Sequence, residues 1–104
     1  MKRHAFKMRL KAGQAAEYRK RHDEIWPELV ALIRDSGVSD YSIFLDEETN
    51  ILFAVQKLSG AGSSQDLGSM EVVRRWWAHM ADLMDTNPDG SPASVDLVEV
   101  FRLD

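Results

Sequence analysis

Cysteine is absent from the 104-residue sequence. That absence removes disulfide scaffolds, cysteine-ligated zinc, iron–sulfur centres and thiol nucleophiles. Long apolar runs are also missing. None reaches the ~18–20 residues of a membrane span, and the N-terminus has no signal-peptide apolar region. The expectation is a soluble cytoplasmic protein with no membrane contact. Basic charge is in short supply, with 13 Lys and Arg against 17 Asp and Glu, a net charge of −4. A nucleic-acid partner is therefore not expected, since such proteins carry a basic footprint. The one basic run, Arg19-Lys20-Arg21, is offset by Glu17, Asp23, Glu24 and Glu28 and reads as a solvated helix face. A glycine-rich phosphate loop, zinc-type ligand spacing and a Ser–His–Asp arrangement are missing too. No metal and no nucleotide cofactor is expected.

What remains is one domain's worth of chain, residues 1–104, with 44% apolar residues. A chain of this size buries roughly 60–70% of its unfolded surface, enough for a core without staples. From Arg3 to Leu10, His4, Phe6, Met8 and Leu10 alternate with Arg3, Ala5, Lys7 and Arg9, the period of a half-buried strand. Gly13 ends it. Between Gln14 and about Ser36 the period becomes helical, with Tyr18, His22, Ile25, Leu29 and Leu32 on one stripe. Pro27 cannot continue that helix unbroken, so a kink or break is expected around Asp23 to Trp26, with Pro27 opening the second half. Gly37 suits a left-handed helix end.

A hairpin follows, with strands Tyr41 to Leu45 and Ile51 to Leu58 around the turn Asp46 to Asn50. Ser59 to Ser64 reads as a flexible loop. A second helix is expected from about Ser69 to Met84, with Val72, Val73, Trp76, Trp77, Met80, Leu83 and Met84 apolar. Asn87 to Pro92 is a turn by composition. The last strand is expected over Val95 to Leu103. The order strand, helix, strand, strand, helix, strand is the split βαβ, or ferredoxin-like, α+β arrangement: a four-stranded antiparallel sheet with two helices on one face. Apolar residues occupy both phases of the last strand and of the hairpin. The far face of the sheet is thus too apolar to stay bare, and pairing with a second copy is expected.

Polar groups that could do chemistry inside this pattern are few. Tyr18 and His22 stand four apart and share a helix face. An imidazole beside a phenol can exchange protons near neutral pH, although the spacing alone suits a mutually satisfied core pair better. Trp76 and Trp77 could line a cleft and pack on sugar rings. Spacing alone again suits core packing somewhat better. Tyr41, the only other tyrosine, opens the hairpin near the helix that carries Tyr18. His4 and His79 are weaker candidates.

Taken together these residues resemble the L-rhamnose mutarotase family along nearly the whole chain. The matching pieces include Glu17-Tyr18, Arg21-His22, Ile25-Trp26-Pro27-Glu28-Leu29, Tyr41-Ser42-Ile43, Arg75-Trp76-Trp77 and Asn87-Pro88-Asp89. The resemblance implies a ferredoxin-like domain paired as a dimeric α/β barrel, acting on the sugar L-rhamnose without a cofactor. It implies His22 as the proton donor, with Tyr18, Tyr41, Trp76 and Trp77 binding the sugar. On that basis His22 is expected to serve the ring-oxygen proton, and Tyr18 or a water the anomeric one. Residues Gly60 to Ser64 depart from the family pattern, where this segment is more charged and helical, so a difference is expected at that loop and the pocket rim. Two other readings fit a paired ferredoxin-like domain. One is a monooxygenase acting on haem or an aromatic substrate; the other is a non-catalytic module that binds small molecules.

Overall fold

A computed structural model describes residues 2–60 and 62–104. Met1 of the expected domain and Ala61 of the expected loop lie outside the described residues. Strand β1 (Lys2–Arg9) is followed by helices α1 (Ala15–Asp23) and α2 (Pro27–Asp35), then by strands β2 (Val38–Asp46) and β3 (Ile51–Leu58). Helix α3 (Glu71–Met80) and the short strand β4 (Ser94–Asp96) complete the chain. All strand pairs are antiparallel, in the spatial order β2-β3-β1-β4. This is the ferredoxin-like α+β arrangement that the element order requires.

Alternation decides which side of the sheet is covered. Phe6 and Met8 of β1 pair with Ala54 and Leu52 of β3, and all four are buried. Leu29 of α2 and Val73, Trp76, Trp77 and Met80 of α3 close over them, joined by Leu83 and Met84 just beyond α3. Pro27 sits in the first turn of α2, where its missing N–H costs nothing. Trp26 before it is extended, at φ −65° and ψ 129°, as a residue preceding proline tends to be. The expected break at Asp23 to Trp26 therefore forms, and it divides one helical stripe into two helices. Gly37 follows α2 at φ +100°, and a Cβ there would lie 2.8 Å from Ser59 Oγ.

Three boundaries differ from the sequence expectation, the first being β2, which begins at Val38 rather than Tyr41. The second helix ends at Met80 rather than Met84, because Ala81 to Leu83 turn back and allow Leu10 and Met84 to bridge. The expected last strand, Val95 to Leu103, is ladder-paired only through Asp96, with one more bond from Leu97 N–H to the Ala5 carbonyl. Beyond it Val98, Val100, Phe101 and Leu103 stand 78–92% exposed. Their alternation is real, but no surface of this chain covers them.

Strand β2 carries an irregularity that matters for the site. Ser39 pairs with Lys57 but Ser42 pairs with Val55, so β2 has one extra residue there, and Asp40 takes φ +46°. Such a bulge reverses the phase of side chains along a strand. Val38 opposite Leu58 and Ile43 opposite Ala54 consequently both face the helices, and Tyr41 shares that side. Phe6, with no exposed surface, lies at the centre of the packed layer. Replacing it with alanine is expected to cost about 3–5 kcal/mol of stability, read as a lower midpoint in urea unfolding with an unchanged slope.

Candidate active site

The broken helix leaves a cleft of about 850 Å³ between helices and sheet, and Tyr18, His22, Tyr41, Trp76 and Trp77 all line it. A volume of this order suits a small-molecule site. Helix α2 packs against β2 and α3, while α1 reaches the core through Tyr18. Tyr18 and His22 project from α1 one turn apart, with ring centroids 4.3 Å from each other. The Trp76 indole meets His22 edge-on at 5.4 Å and is braced from behind by Trp26 at 5.2 Å.

A single hydrogen bond settles the state of the imidazole. His22 Nδ1 lies 3.0 Å from the backbone carbonyl of Tyr18. A carbonyl oxygen has no hydrogen to give, so Nδ1 must carry the proton and donate it. In the neutral ring Nε2 is left as a bare acceptor. Burial lowers the His22 pKa below its ordinary 6.5, opposed by the Tyr18 carbonyl and by Asp23. Burial pushes the Tyr18 phenol up, helped by the nearby Tyr41. Tyr41 is raised as well, by burial, opposed by the nearby Ser64 and Gln56 side chains. At neutral pH the cleft therefore holds two protonated phenols and one neutral imidazole.

Other residues fix this cluster in place, among them Arg21, which the sequence reading placed on a solvated helix face and which is instead engaged by Glu17 and Asp82. Arg21, beside His22, donates to Glu17 at 2.9 Å, to both oxygens of Asp82 and to the His79 carbonyl. The guanidinium thereby ties α1 to the end of α3 and holds the Asp82 carboxyl below its usual range. Its occurrence in the Arg21-His22 pair was the available signal. Gln56 and Ser64 form a buried polar corner beside Tyr41. Gln56 was detectable as the lone polar residue in the buried phase Leu52, Ala54, Gln56, Leu58.

The two remaining histidines lie outside the cleft lining. His4 rests on Phe6 and lies 3.7 Å from Asp96. His79 is exposed, with its ring 5.6 Å from the far side of Trp76. Among the described residues, no three His, Asp or Glu side chains converge to hold a metal ion.

Fold and cleft together define a small ferredoxin-like protein with one acid–base imidazole in an aromatic-walled pocket. A family model described as L-rhamnose mutarotase matches residues 3–103. A protein named L-rhamnose mutarotase from Bacteroides thetaiotaomicron is 64% identical over 104 residues, spanning 100% of both chains. Another of that name, from Agrobacterium fabrum, is 56% identical over 99% of this chain and 96% of its own. The crystal structure of an L-rhamnose mutarotase from Formosa agariphila superposes with a TM-score of 0.93 at 55% identity, covering 100% of each chain. This chain belongs to the L-rhamnose mutarotase family.

The Trp77 wall depends on the absence of a side chain opposite it. A Cβ on Gly68 would lie 3.0 Å from the Trp77 ring, so Gly68→Ala must displace the indole. In proton–nitrogen NMR spectra the Trp77 indole signal is expected to move further than those of Trp26 and Trp76. An unmoved Trp77 signal would contradict this packing.

Proposed function

We propose that this protein is a cofactor-independent isomerase that interconverts the α and β anomers of L-rhamnopyranose. The observation that carries the reading is the His22 Nδ1 bond to the Tyr18 carbonyl, which leaves one bare nitrogen on a partly buried imidazole that lines an aromatic cleft. Anomer exchange needs the hemiacetal to open. A proton leaves the anomeric hydroxyl, another arrives on the ring oxygen, and the bond between C1 and the ring oxygen breaks to give the aldehyde. Rotation about C1–C2 then lets the ring oxygen add to the other carbonyl face, and both protons return.

His22 is the group that moves the anomeric proton. Its Nε2 takes that proton on opening and gives it back on closure. The ring oxygen receives its proton from the Tyr18 hydroxyl or a bound water. This assigns the two protons the other way from the sequence expectation. Starting with His22 as donor to the ring oxygen would require the imidazole to be charged at the outset, which burial disfavours. Tyr41, Trp76 and Trp77 bind the sugar, with the indoles against its C–H faces and its 6-methyl group. An apolar wall of that kind rejects a hydroxylated analogue by only about 10²-fold, so related sugars are expected to turn over more slowly rather than not at all. The absence of cysteine fits a cytoplasmic setting for this chemistry.

Two copies of the chain complete the assembly in this reading. Phe44 and Val95, 61% and 58% exposed, lie on the sheet face away from the helices. The apolar tail beyond Leu97 projects with nothing to cover it. A self-complementary pairing of these surfaces buries both.

Saturation-transfer NMR on L-rhamnose tests the chemistry. His22→Ala is expected to lower catalysed anomer exchange by about 10²–10⁴-fold, and full exchange in that variant would refute the assignment. The pH profile has a defined sign. Because the neutral imidazole is the working form and its pKa is lowered, exchange is expected to persist at pH 6.5 and to fall at lower pH as Nε2 fills. A catalysed rate that rises on acidification contradicts the role given to Nε2. Light scattering at low micromolar concentration is expected to report twice the protomer mass, and a clean monomer there would exclude the pairing.

A further inference from the structure

His22 owes its tautomer to its own helix but its place to another. The bond from Nδ1 runs to the Tyr18 carbonyl one turn back on α1, so the imidazole travels with α1 as one body. Trp76 and Trp77 stand on α3, and Tyr41 on β2. The separation between the bare Nε2 and the walls of the cleft is therefore set by whatever fastens α1 to the rest of the chain. Tyr18 packs into the core, but apolar contact is non-directional. Direction comes from hydrogen bonds.

Among the described residues, Arg21 is the one side chain of α1 that hydrogen-bonds to another part of the fold. Its guanidinium reaches the two Asp82 oxygens at 2.8 and 3.3 Å and also the His79 carbonyl. Its Nε donates to Glu17, one turn back on α1, at 2.9 Å, which aims the rest of the group outward from the helix. The acceptors lie where α3 ends. There the Ala81 and Leu83 N–H groups turn to the Ala78 and Met80 carbonyls, and Arg21 takes the carbonyl between them. The Arg21 side chain is 18% exposed and that of Asp82 67%. An ion pair with so open a partner contributes little to folding. Its geometry is the stronger feature, because a planar guanidinium holds a carboxylate by both oxygens while serving other acceptors, and an ammonium does not.

We propose that Arg21, anchored by Asp82, is a positioning residue that sets the reach of His22 Nε2 toward a sugar lying against Trp76 and Trp77. The inference rests on the mutarotase reading for the ligand and the reaction. Arg21 is not part of the cleft lining and acts through His22. The groups that hold the sugar belong to α3 and β2 and keep their places when the clasp opens. The proton-transfer distance does not. An error of about 1 Å in such a distance costs on the order of 10²-fold in rate. Loss of the clasp therefore appears in kcat and spares KM.

The experiment compares kcat and KM for L-rhamnose anomer exchange at pH 8, above the lowered His22 pKa. The proteins are the wild type, Arg21→Met, Arg21→Lys, Asp82→Ala and the Arg21→Met/Asp82→Ala double variant. Arg21→Met is expected to lower kcat by about ten- to a hundred-fold, with KM changed by less than about two-fold and the urea midpoint nearly unmoved. Arg21→Lys keeps the charge but not the fork and recovers only part of kcat. Asp82→Ala also lowers kcat, and in the Arg21→Met background it adds nothing further. Because Asp82 is exposed, that variant carries the test where Arg21→Met unfolds. Glu28→Gln, which breaks the 3.7 Å pair with Arg75 between α2 and α3, is expected to leave kcat unchanged. An unchanged kcat in Arg21→Met, a loss confined to KM, full recovery in Arg21→Lys or an equal loss in Glu28→Gln overturns the inference.

A second readout does not depend on turnover. Nitrogen-15 spectra of Arg21→Met are expected to show His22 still protonated on Nδ1, since that bond lies within α1. The nuclear Overhauser effect between the His22 ring and the Trp76 indole, whose centroids stand 5.4 Å apart, is expected to weaken. An undiminished effect, or loss of the Nδ1-protonated tautomer, overturns the clasp. Absence of anomer exchange in the wild-type protein, with the weakened effect present in Arg21→Met, would instead refute the functional reading and leave the clasp standing.

Discussion

Pro27 is the constraint from which the site follows. The apolar stripe from Gln14 to Ser36 would suit one continuous helix. Proline prevents that by removing an amide hydrogen and by crowding the carbonyl one turn earlier. The chain answers with an extended Trp26 and two short helices. Helix α2 takes over the packing, sinking Leu29 into the core. Helix α1 is left spanning a gap and carries Tyr18 and His22 over it. Arg21 then makes this arrangement rigid from outside, by gripping Asp82 and the His79 carbonyl at the end of α3.

The second consequence is electrostatic. In a cleft walled by indoles and roofed by α1, burial shifts each titratable group toward its neutral form. Two phenols keep their protons and the imidazole loses its second one. The outcome is a set of neutral groups with opposite appetites, donors at Tyr18 and Tyr41 and an acceptor at His22. Ring opening of a neutral sugar asks for this combination, since it moves one proton off an oxygen and one onto another without a lasting charge. The aromatic shell therefore does two things at once. It shapes the pocket, and it sets the charge state in which the pocket works.

Much of this was written in local patterns. The strand over Ile51–Leu58, the break before Pro27, the i,i+4 pairing of Tyr18 with His22 and the element order all follow from periodicity and backbone chemistry, which act between near neighbours. The features that escaped depend on distant partners. The extra residue near Asp40 leaves no mark in composition, yet it determines that Tyr41 faces the helices. Ser64 looked like part of a flexible Ser/Gly loop, because nothing nearby announces that a glutamine eight residues earlier will hold it. The end of β4 escaped for the opposite reason. Val98 to Leu103 alternates as a strand does, but alternation reports what a segment is fit to pair with, not whether its own chain supplies the partner.

That last distinction explains how the sheet divides its work. Side chains facing the helices build the core and the cleft, and those on the other side, Phe44, Phe53, Val55 and Val95, form a second apolar surface. A two-residue period lets the two faces be chosen independently. Substitution on the far face can change that surface without touching His22, and the cleft can change without disturbing that surface. The bulge in β2 is the exception to this independence, because one residue inserted there exchanges the two faces locally. Moving it by a single position would turn Tyr41 away from the cleft, so the register of β2 against β3 is under stricter constraint than any single apolar contact in the sheet.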